Sequence, residues 1–143
     1  MKAATPLLRF DVLALGIGLA LFAVNTYLFK PFLVADSGIL SAFLCNYAND
    51  VLGGFSFAAY TNVLFDAVKP EYRLRSLLAV LAYIFLCGLF WEFAAPLFIA
   101  HSVSDWFDVA AYVAGGFVYW IANARAVEKR WCFTRNSKSE LNV

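Results

Sequence analysis

The chain has 143 residues, of which 63% are hydrophobic and only 15% are charged, and its formal net charge is +1. An ordinary soluble domain is roughly 45–50% apolar and about 25% charged, so this composition excludes a typical soluble fold and favours a polytopic membrane protein. The sequence has no phosphate-binding loop, dinucleotide fingerprint or basic groove, and we therefore expect no nucleic-acid partner.

Four apolar runs of about 20 residues each predict four membrane-spanning helices. The first run is too long for the hydrophobic part of a signal peptide and lacks a small-residue cleavage site after it, so we interpret it as an uncleaved span. The predicted spans cover residues 12–29, 39–65, 76–99 and 105–124, and a polar cytoplasmic tail covers 125–143. We therefore predict one all-α membrane domain, residues 1–124, with four transmembrane helices arranged as two helical hairpins.

The distribution of basic residues predicts the orientation of these spans. If the N-terminus is cytoplasmic, ten of the 11 Lys and Arg residues fall in cytoplasmic segments, and only Lys30 lies in an outer loop. This bias predicts that both termini face the cytoplasm. In the same orientation, Tyr119 and Trp120 are predicted to lie in the inner aromatic belt.

A faint internal repeat relates the second span to the fourth. Asn46, Asp50, Gly53, Gly54 and Phe55 have the same spacing as Asp108, Tyr112, Gly115, Gly116 and Phe117. Spacings of four and seven place these residues on one helix face. The repeat indicates two hairpins of the same sense packed around a seam of polar residues and glycines; the alternative is chance. In the first span, Gly16 and Ala20 predict another close helix contact.

Ionisable residues inside a span cost several kcal/mol, so they normally face the interior of the bundle. Asp50 and Glu92 are the two most informative examples. We predict an outward-facing acidic pocket around them. Asp50 forms its floor, its walls are Asn46, Asn49, Glu92 and Tyr112, and its lip is His101, Asp105 and Asp108.

Several members of this pocket also have a structural interpretation. Asp105 is expected to complete a capping box that begins at Ser102, and Asp108 to favour the positive end of a helix. His101 is commonly a solvated loop residue, and the two asparagines commonly hydrogen-bond between helices. A divalent metal held by Glu92, His101, Asp105 and Asp108 stays open as an alternative, but no metal-binding motif is present and no cofactor is firmly predicted.

A Glu late in one span, a short outer connection with a basic residue, and an Asp-x3-Asn-x2-Gly pattern at the start of the next span are typical of one family. Glu92, Asp108 and Gly115 match this pattern, His101 stands where an Arg is usual, and Tyr112 replaces the Asn. Over about 25 residues, 92–116, the chain thus resembles the VanZ-like family of small bacterial membrane proteins. The resemblance implies a cell-envelope role in the bacterial inner membrane.

The leading functional hypothesis is an accessory membrane protein whose acidic pocket binds a lipid head group, a lipid-linked envelope precursor or a cation. One alternative is a membrane enzyme acting on an outer-leaflet lipid, in which Glu92 is a base or metal ligand and His101 an acid. Another is a small transporter, working as a homodimer, in which Asp50 and Glu92 form a proton- or cation-coupled path. A purely structural member of a larger complex is the fourth hypothesis.

Overall fold

The computed structural model describes residues 6–34, 37–94 and 105–140, with side chains described as far as residue 127, and the regular elements in these ranges are all helical. They are α1 (Pro6–Val24), a π-helical turn (Asn25–Phe29), α2 (Lys30–Leu33), α3 (Ile39–Asn46), α4 (Ala48–Val68), a 3₁₀ turn (Pro70–Tyr72), α5 (Leu77–Leu89), a second π-helical turn (Phe90–Ala94) and α6 (Trp106–Glu140). The prediction of an all-α chain is confirmed for this part of the protein.

Three helical segments are long and apolar enough to cross a membrane, judged by length and composition. They are Pro6–Leu33, Ala48–Val68 and Leu77–Ala94, with 28, 21 and 18 residues. Much of their surface consists of exposed apolar side chains, such as Leu13, Ile17, Leu78 and Leu86. A soluble protein rarely exposes so many large apolar side chains, whereas lipid covers them without cost.

The observed helix ends differ from the predicted spans in two places. Tyr47 separates α3 from α4, although the backbone hydrogen bond from Tyr47 N to Phe43 O, at 2.9 Å, keeps the chain helical up to this residue. Asp50 therefore lies in the first turn of α4 instead of in the middle of one continuous helix. At the other end, α6 continues to Glu140, through most of the segment that was predicted as a polar tail.

The four long helices form two antiparallel pairs. In the first pair, Gly18 of α1 packs against Ser56 of α4, and Asn25 hydrogen-bonds Asn49, so the residue numbers of the two helices run in opposite directions. In the second pair, α5 and α6, the corresponding contacts join Ile84 to Gly116 and Gly88 to Val109. The prediction that these pairs are two membrane-spanning hairpins stays a prediction.

The central helices α4 and α6 run parallel and approach each other very closely. A Cβ atom added at Gly54 would lie 2.0 Å from the carbonyl oxygen of Tyr112, and one added at Gly115 would lie 1.9 Å from the carbonyl oxygen of Val51. Only glycine allows two backbones to come this near. The sequence repeat aligns Gly53 with Gly115 and Gly54 with Gly116. The closest backbone contacts instead occur at Gly54 and Gly115, so the packing is shifted by one residue from the repeat.

Two predictions about helix faces are wrong. Gly16 and Ala20 are exposed, and a Cβ at Gly16 would meet nothing within 4 Å; α1 instead packs through a buried face that includes Ala14 and Gly18. At 3.6 residues per turn, positions 16 and 18 point to different sides of the helix. Tyr119 does not lie in an exposed aromatic belt, because it is 0% exposed and its hydroxyl has partners inside the bundle.

Candidate functional site

Four residues of the predicted pocket come together at one end of the bundle. Asp50 lies at the start of α4, Glu92 in the π-helical turn after α5, and Asp108 and Tyr112 in the first two turns of α6. The Tyr112 ring lies against Gly53, one turn after Asp50 on α4, and the charges of Glu92 and Asp108 both act on Asp50. We call Asp50, Glu92, Asp108 and Tyr112 the carboxylate cluster.

The carboxylate cluster has an excess of negative charge. Lys30, at the start of α2, is the basic side chain whose charge acts on both Asp50 and Asp108. The charge of Asp105 also acts on Asp108, so the carboxylates near this end of the bundle outnumber the lysine that acts on them. Like charges this near destabilise one another, and a cation placed among them relieves the repulsion. The arrangement therefore favours a positively charged ligand.

Glu92 also connects the π-helical turn to the start of α6. Its Oε2 accepts a hydrogen bond from the backbone N of Asp105 at 3.1 Å. Asp105 in turn accepts one from the backbone N of Phe107 at 2.9 Å, which is the geometry of a helix N-cap. Asp105 is therefore the N-cap of α6, and the prediction that it completes a capping box begun at Ser102 is wrong, because α6 begins at Trp106. Ser102 itself lies outside the described residues.

The asparagines and the histidine of the predicted pocket have different outcomes. Asn46 is exposed at the end of α3 and does not pack inside the bundle. Asn49 accepts a hydrogen bond from Asn25 at 2.8 Å and donates one to Thr26 at 2.9 Å, so it joins two helices, as its structural interpretation predicts. His101 lies outside the described residues.

The described residues do not contain a metal centre. Nowhere in this part of the chain are three or more His, Cys, Asp and Glu side chains grouped so that they could hold a metal ion. Glu92 and Asp108 interact through their charges, and Glu92 already accepts the Asp105 N–H.

A second polar cluster, which was not predicted from the sequence, lies at the other end of the bundle. Its members, which we call the Arg73 cluster, are Asp11, Asn62, Asp66, Arg73, Tyr119 and Asn123. Asp11, Asn62 and Tyr119 are completely buried, and the Arg73 side chain is 1% exposed. These residues come from α1, α4, α6 and the connection between α4 and α5.

Arg73 is the centre of this cluster. Its Nη1 donates to the carboxylates of Asp11 and Asp66, and its Nη2 donates to Asn123 Oδ1 at 2.8 Å. Burial by itself lowers the pKa of Arg73, but the hydrogen bond to Asp11 and the neighbouring negative charges outweigh this effect and raise the pKa above its ordinary value. Arg73 therefore stays charged and joins three helices.

Tyr119 and Asn62 extend the network to the backbone. The Tyr119 hydroxyl donates to Asp11 Oδ1 at 2.6 Å and accepts from Asn62 Nδ2 at 2.7 Å. Asn62 also bonds both backbone groups of Leu74, with its Nδ2 donating to the carbonyl at 3.1 Å and its Oδ1 accepting from the N–H at 2.8 Å. These bonds fix the chain that carries Arg73.

The sequence contained a signal for the Arg73 cluster, although a weak one. Asp11 and Asp66 lie inside or beside apolar runs, where a carboxylate needs a partner. Arg73 was predicted only to lie in a cytoplasmic segment, whereas in the structure its side chain is paired with two carboxylates and buried. An acidic residue near the end of each of two spans, with an arginine in a following connection, is the pattern that predicts such a cluster.

Comparison with known proteins adds no relative to this description. No protein-family model matches the chain, and no curated protein and no solved structure matches it significantly.

Proposed function

We propose that this protein binds the primary ammonium group of a phospholipid head group at the carboxylate cluster, in an accessory role in the bacterial cell envelope. The observation that carries the proposal is that Asp50, Glu92 and Asp108, from three separate helical elements, act on one another through their like charges, while Lys30 acts on Asp50 and Asp108 with the opposite charge. A primary ammonium carries both the positive charge and the N–H donors that these acceptors need. The VanZ-like resemblance, which stays a prediction, supports the cell-envelope setting.

Lys30 supports a zwitterionic head group as the ligand. Its ammonium acts on the same carboxylates from the end of the first helical segment, where that segment reaches Pro31. A phosphoethanolamine head group has a phosphate a few atoms from its ammonium. Lys30 is suited to the phosphate, while the carboxylates are suited to the ammonium. A bare phosphate would instead be repelled by the excess negative charge.

We further propose that α6 is the fourth span and that both termini are cytoplasmic. From Val109 to Trp120, α6 runs antiparallel to α5, which is itself long and apolar enough to cross a membrane. Tyr119, a polar residue of this part of α6, hydrogen-bonds Asn62 of α4 and Asp11 of α1. Polar groups satisfied in this way are compatible with a position inside the bilayer. The bias of basic residues supports the orientation.

Native mass spectrometry tests the proposed ligand. The purified protein is mixed with equal amounts of phosphatidylethanolamine, phosphatidylcholine and phosphatidylglycerol, and bound lipid is counted. We expect phosphatidylethanolamine to dominate, because the choline head group has no N–H donor and the glycerol head group has no positive charge. Glu92→Gln keeps an oxygen for the Asp105 N–H but removes the charge, and we expect affinity about tenfold weaker, as for the loss of one charged hydrogen bond.

The matched control is Glu71→Gln, the same change at an exposed residue of the 3₁₀ turn near the opposite end of the bundle. It should bind lipid as the wild type does. Free ethanolamine as a competitor distinguishes a site for the soluble amine from one that needs the lipid. Equal binding of the three lipids, or unchanged preference in both Glu92→Gln and Asp50→Asn, would refute the proposal.

A further inference from the structure

The connection between α4 and α5 lies at the surface, but one of its side chains points into the bundle. Pro70, Glu71, Tyr72 and Arg75 are exposed. Arg73, between them, is 1% exposed at its side chain and reaches carboxylates that belong to α1 and α4. A charged side chain from a surface connection is thus enclosed by the helices of the bundle.

The oxygen atoms around the guanidinium come from three different helices. Asp11 belongs to α1, Asp66 to α4 and Asn123 to α6, and all three accept from Arg73. The Tyr119 hydroxyl fixes the position of the Asp11 carboxylate from behind. Tyr119 therefore holds one of the three acceptors, Asp11, independently of the arginine.

The guanidinium does not match these acceptors completely. Its Nε–H is buried and has no hydrogen-bond partner among the described residues. Both carboxylates instead bond to the same nitrogen, Nη1, so Arg73 is bound end-on and not through the paired N–H groups that suit a carboxylate best. One nitrogen that donates to two carboxylates is the way in which an ammonium group binds.

We infer that Asp11, Asp66 and Asn123 form a binding site for cations with N–H donors, and that Arg73 fills this site as a covalently tethered cation. The site is separate from the carboxylate cluster, and the inference does not depend on what binds there. Asn62 holds the connection at Leu74, so Arg73 keeps the site occupied in this structure, and a free cation can bind there once the arginine side chain is removed. Arg73 thus occupies and blocks a second cation site.

Cation rescue of an arginine variant tests this inference. Arg73→Ala removes the tethered cation, and its thermal unfolding is followed in detergent while millimolar guanidinium, ammonium, tetramethylammonium or sodium chloride is added. We expect a lowered unfolding temperature that guanidinium and ammonium restore in a saturable way. Tetramethylammonium, which has no N–H donor, and sodium should restore much less. The wild type should respond equally to all four salts.

Two further variants show where the added cation binds. Arg75→Ala, in the same connection but exposed, should respond to the four salts as the wild type does. Adding Asp11→Asn to Arg73→Ala should abolish the specific recovery, because it removes the charge of the most buried acceptor. Adding Glu92→Gln should leave the recovery unchanged, which separates this site from the proposed lipid site.

The inference is overturned if recovery is equal for the four salts, if it does not saturate, or if it survives Asp11→Asn. Arg73→Gln is studied in parallel, because its amide keeps one N–H donor for the carboxylates and favours folding. If Arg73→Ala does not fold, specific stabilisation of Arg73→Gln by ammonium supports the inference, and the absence of such stabilisation refutes it.

Discussion

The carboxylate cluster and the Arg73 cluster are built from similar parts. Each lies between the parallel helices α4 and α6, and each contains a tyrosine of α6 near an aspartate. Tyr112 lies near Asp50 in one cluster, and Tyr119 hydrogen-bonds Asp11 in the other. They differ in their cations. Arg73 touches the carboxylates of its own cluster directly, whereas Lys30 acts on the other cluster through its charge.

This difference explains how deeply each cluster is buried. Asp11 is completely buried because Arg73 and Tyr119 replace the hydrogen bonds that it would make to water. Asp50, Glu92 and Asp108 are only partly buried by the protein, since their mutual repulsion makes full burial too costly. A cluster whose cation is part of the chain holds the fold together, and a cluster short of a cation is suited to binding one.

The largest expected effect breaks the cluster that has its own cation. Arg73→Met keeps the volume of the side chain but leaves two buried carboxylates without their partner, and we expect a loss of about 3–5 kcal/mol in the free energy of unfolding. Reversible unfolding in mixed micelles with increasing detergent denaturant measures it. Arg75→Met should change this free energy by less than about 0.5 kcal/mol. Similar losses in both variants would contradict the comparison.

The seam between the two clusters gives the next largest effect. Gly115→Ala would place a Cβ 1.9 Å from the Val51 carbonyl, so α4 and α6 must separate, and we expect a loss of about 1–3 kcal/mol. Gly16→Ala meets nothing within 4 Å and should be neutral or stabilising by up to about 1 kcal/mol, because alanine favours a helix. The same unfolding measurement tests both variants. If Gly16→Ala loses stability as Gly115→Ala does, the exposed face of α1 is also packed.

The two tyrosines compare the clusters directly. Tyr119→Phe leaves Asp11 Oδ1 without one donor and deprives Asn62 Nδ2 of one acceptor, at complete burial, and we expect a loss of about 1–3 kcal/mol. Tyr112→Phe removes a hydroxyl near the less buried Asp50, to which no hydrogen bond is formed in the structure, and should cost less than about 1 kcal/mol. A larger loss for Tyr112→Phe in unfolding experiments would reverse the assignment of the structural cluster.

The smallest expected effect on stability comes from neutralising the carboxylate cluster. Glu92→Gln keeps an acceptor for the Asp105 N–H, and both Glu92→Gln and Asp50→Asn relieve repulsion between like charges. We expect stability within about 0.5 kcal/mol of the wild type, or slightly above it. Lipid binding should nevertheless weaken, and this separation of stability from binding is the measurement to make. A loss of several kcal/mol in either variant would indicate a structural role instead.

The sequence by itself determined the helical class, the membrane-compatible composition and the residues of the carboxylate cluster that come together. These follow from local properties: the length of apolar runs, the cost of a carboxylate within them, and the repeated spacing that put Asp50 and Tyr112 at matching positions. The break at Tyr47 was not predicted, because the apolar run continues through this residue without a helix-ending signal. The length of α6 was not predicted either, because charged residues occur in helices as readily as in loops.

Only the tertiary structure decided which helix faces pack and which charges pair. In a soluble protein, the polar side of a helix faces water, so the opposite side is known to be buried. Lipid is as apolar as a protein core and gives no such signal, so the sequence could not show that Gly18 packs and Gly16 does not. The Arg73 cluster depended on the fold for another reason. Its members are spread from position 11 to position 123, and only the packing of α1, α4 and α6 brings Asp11 and Asn123 to the same guanidinium.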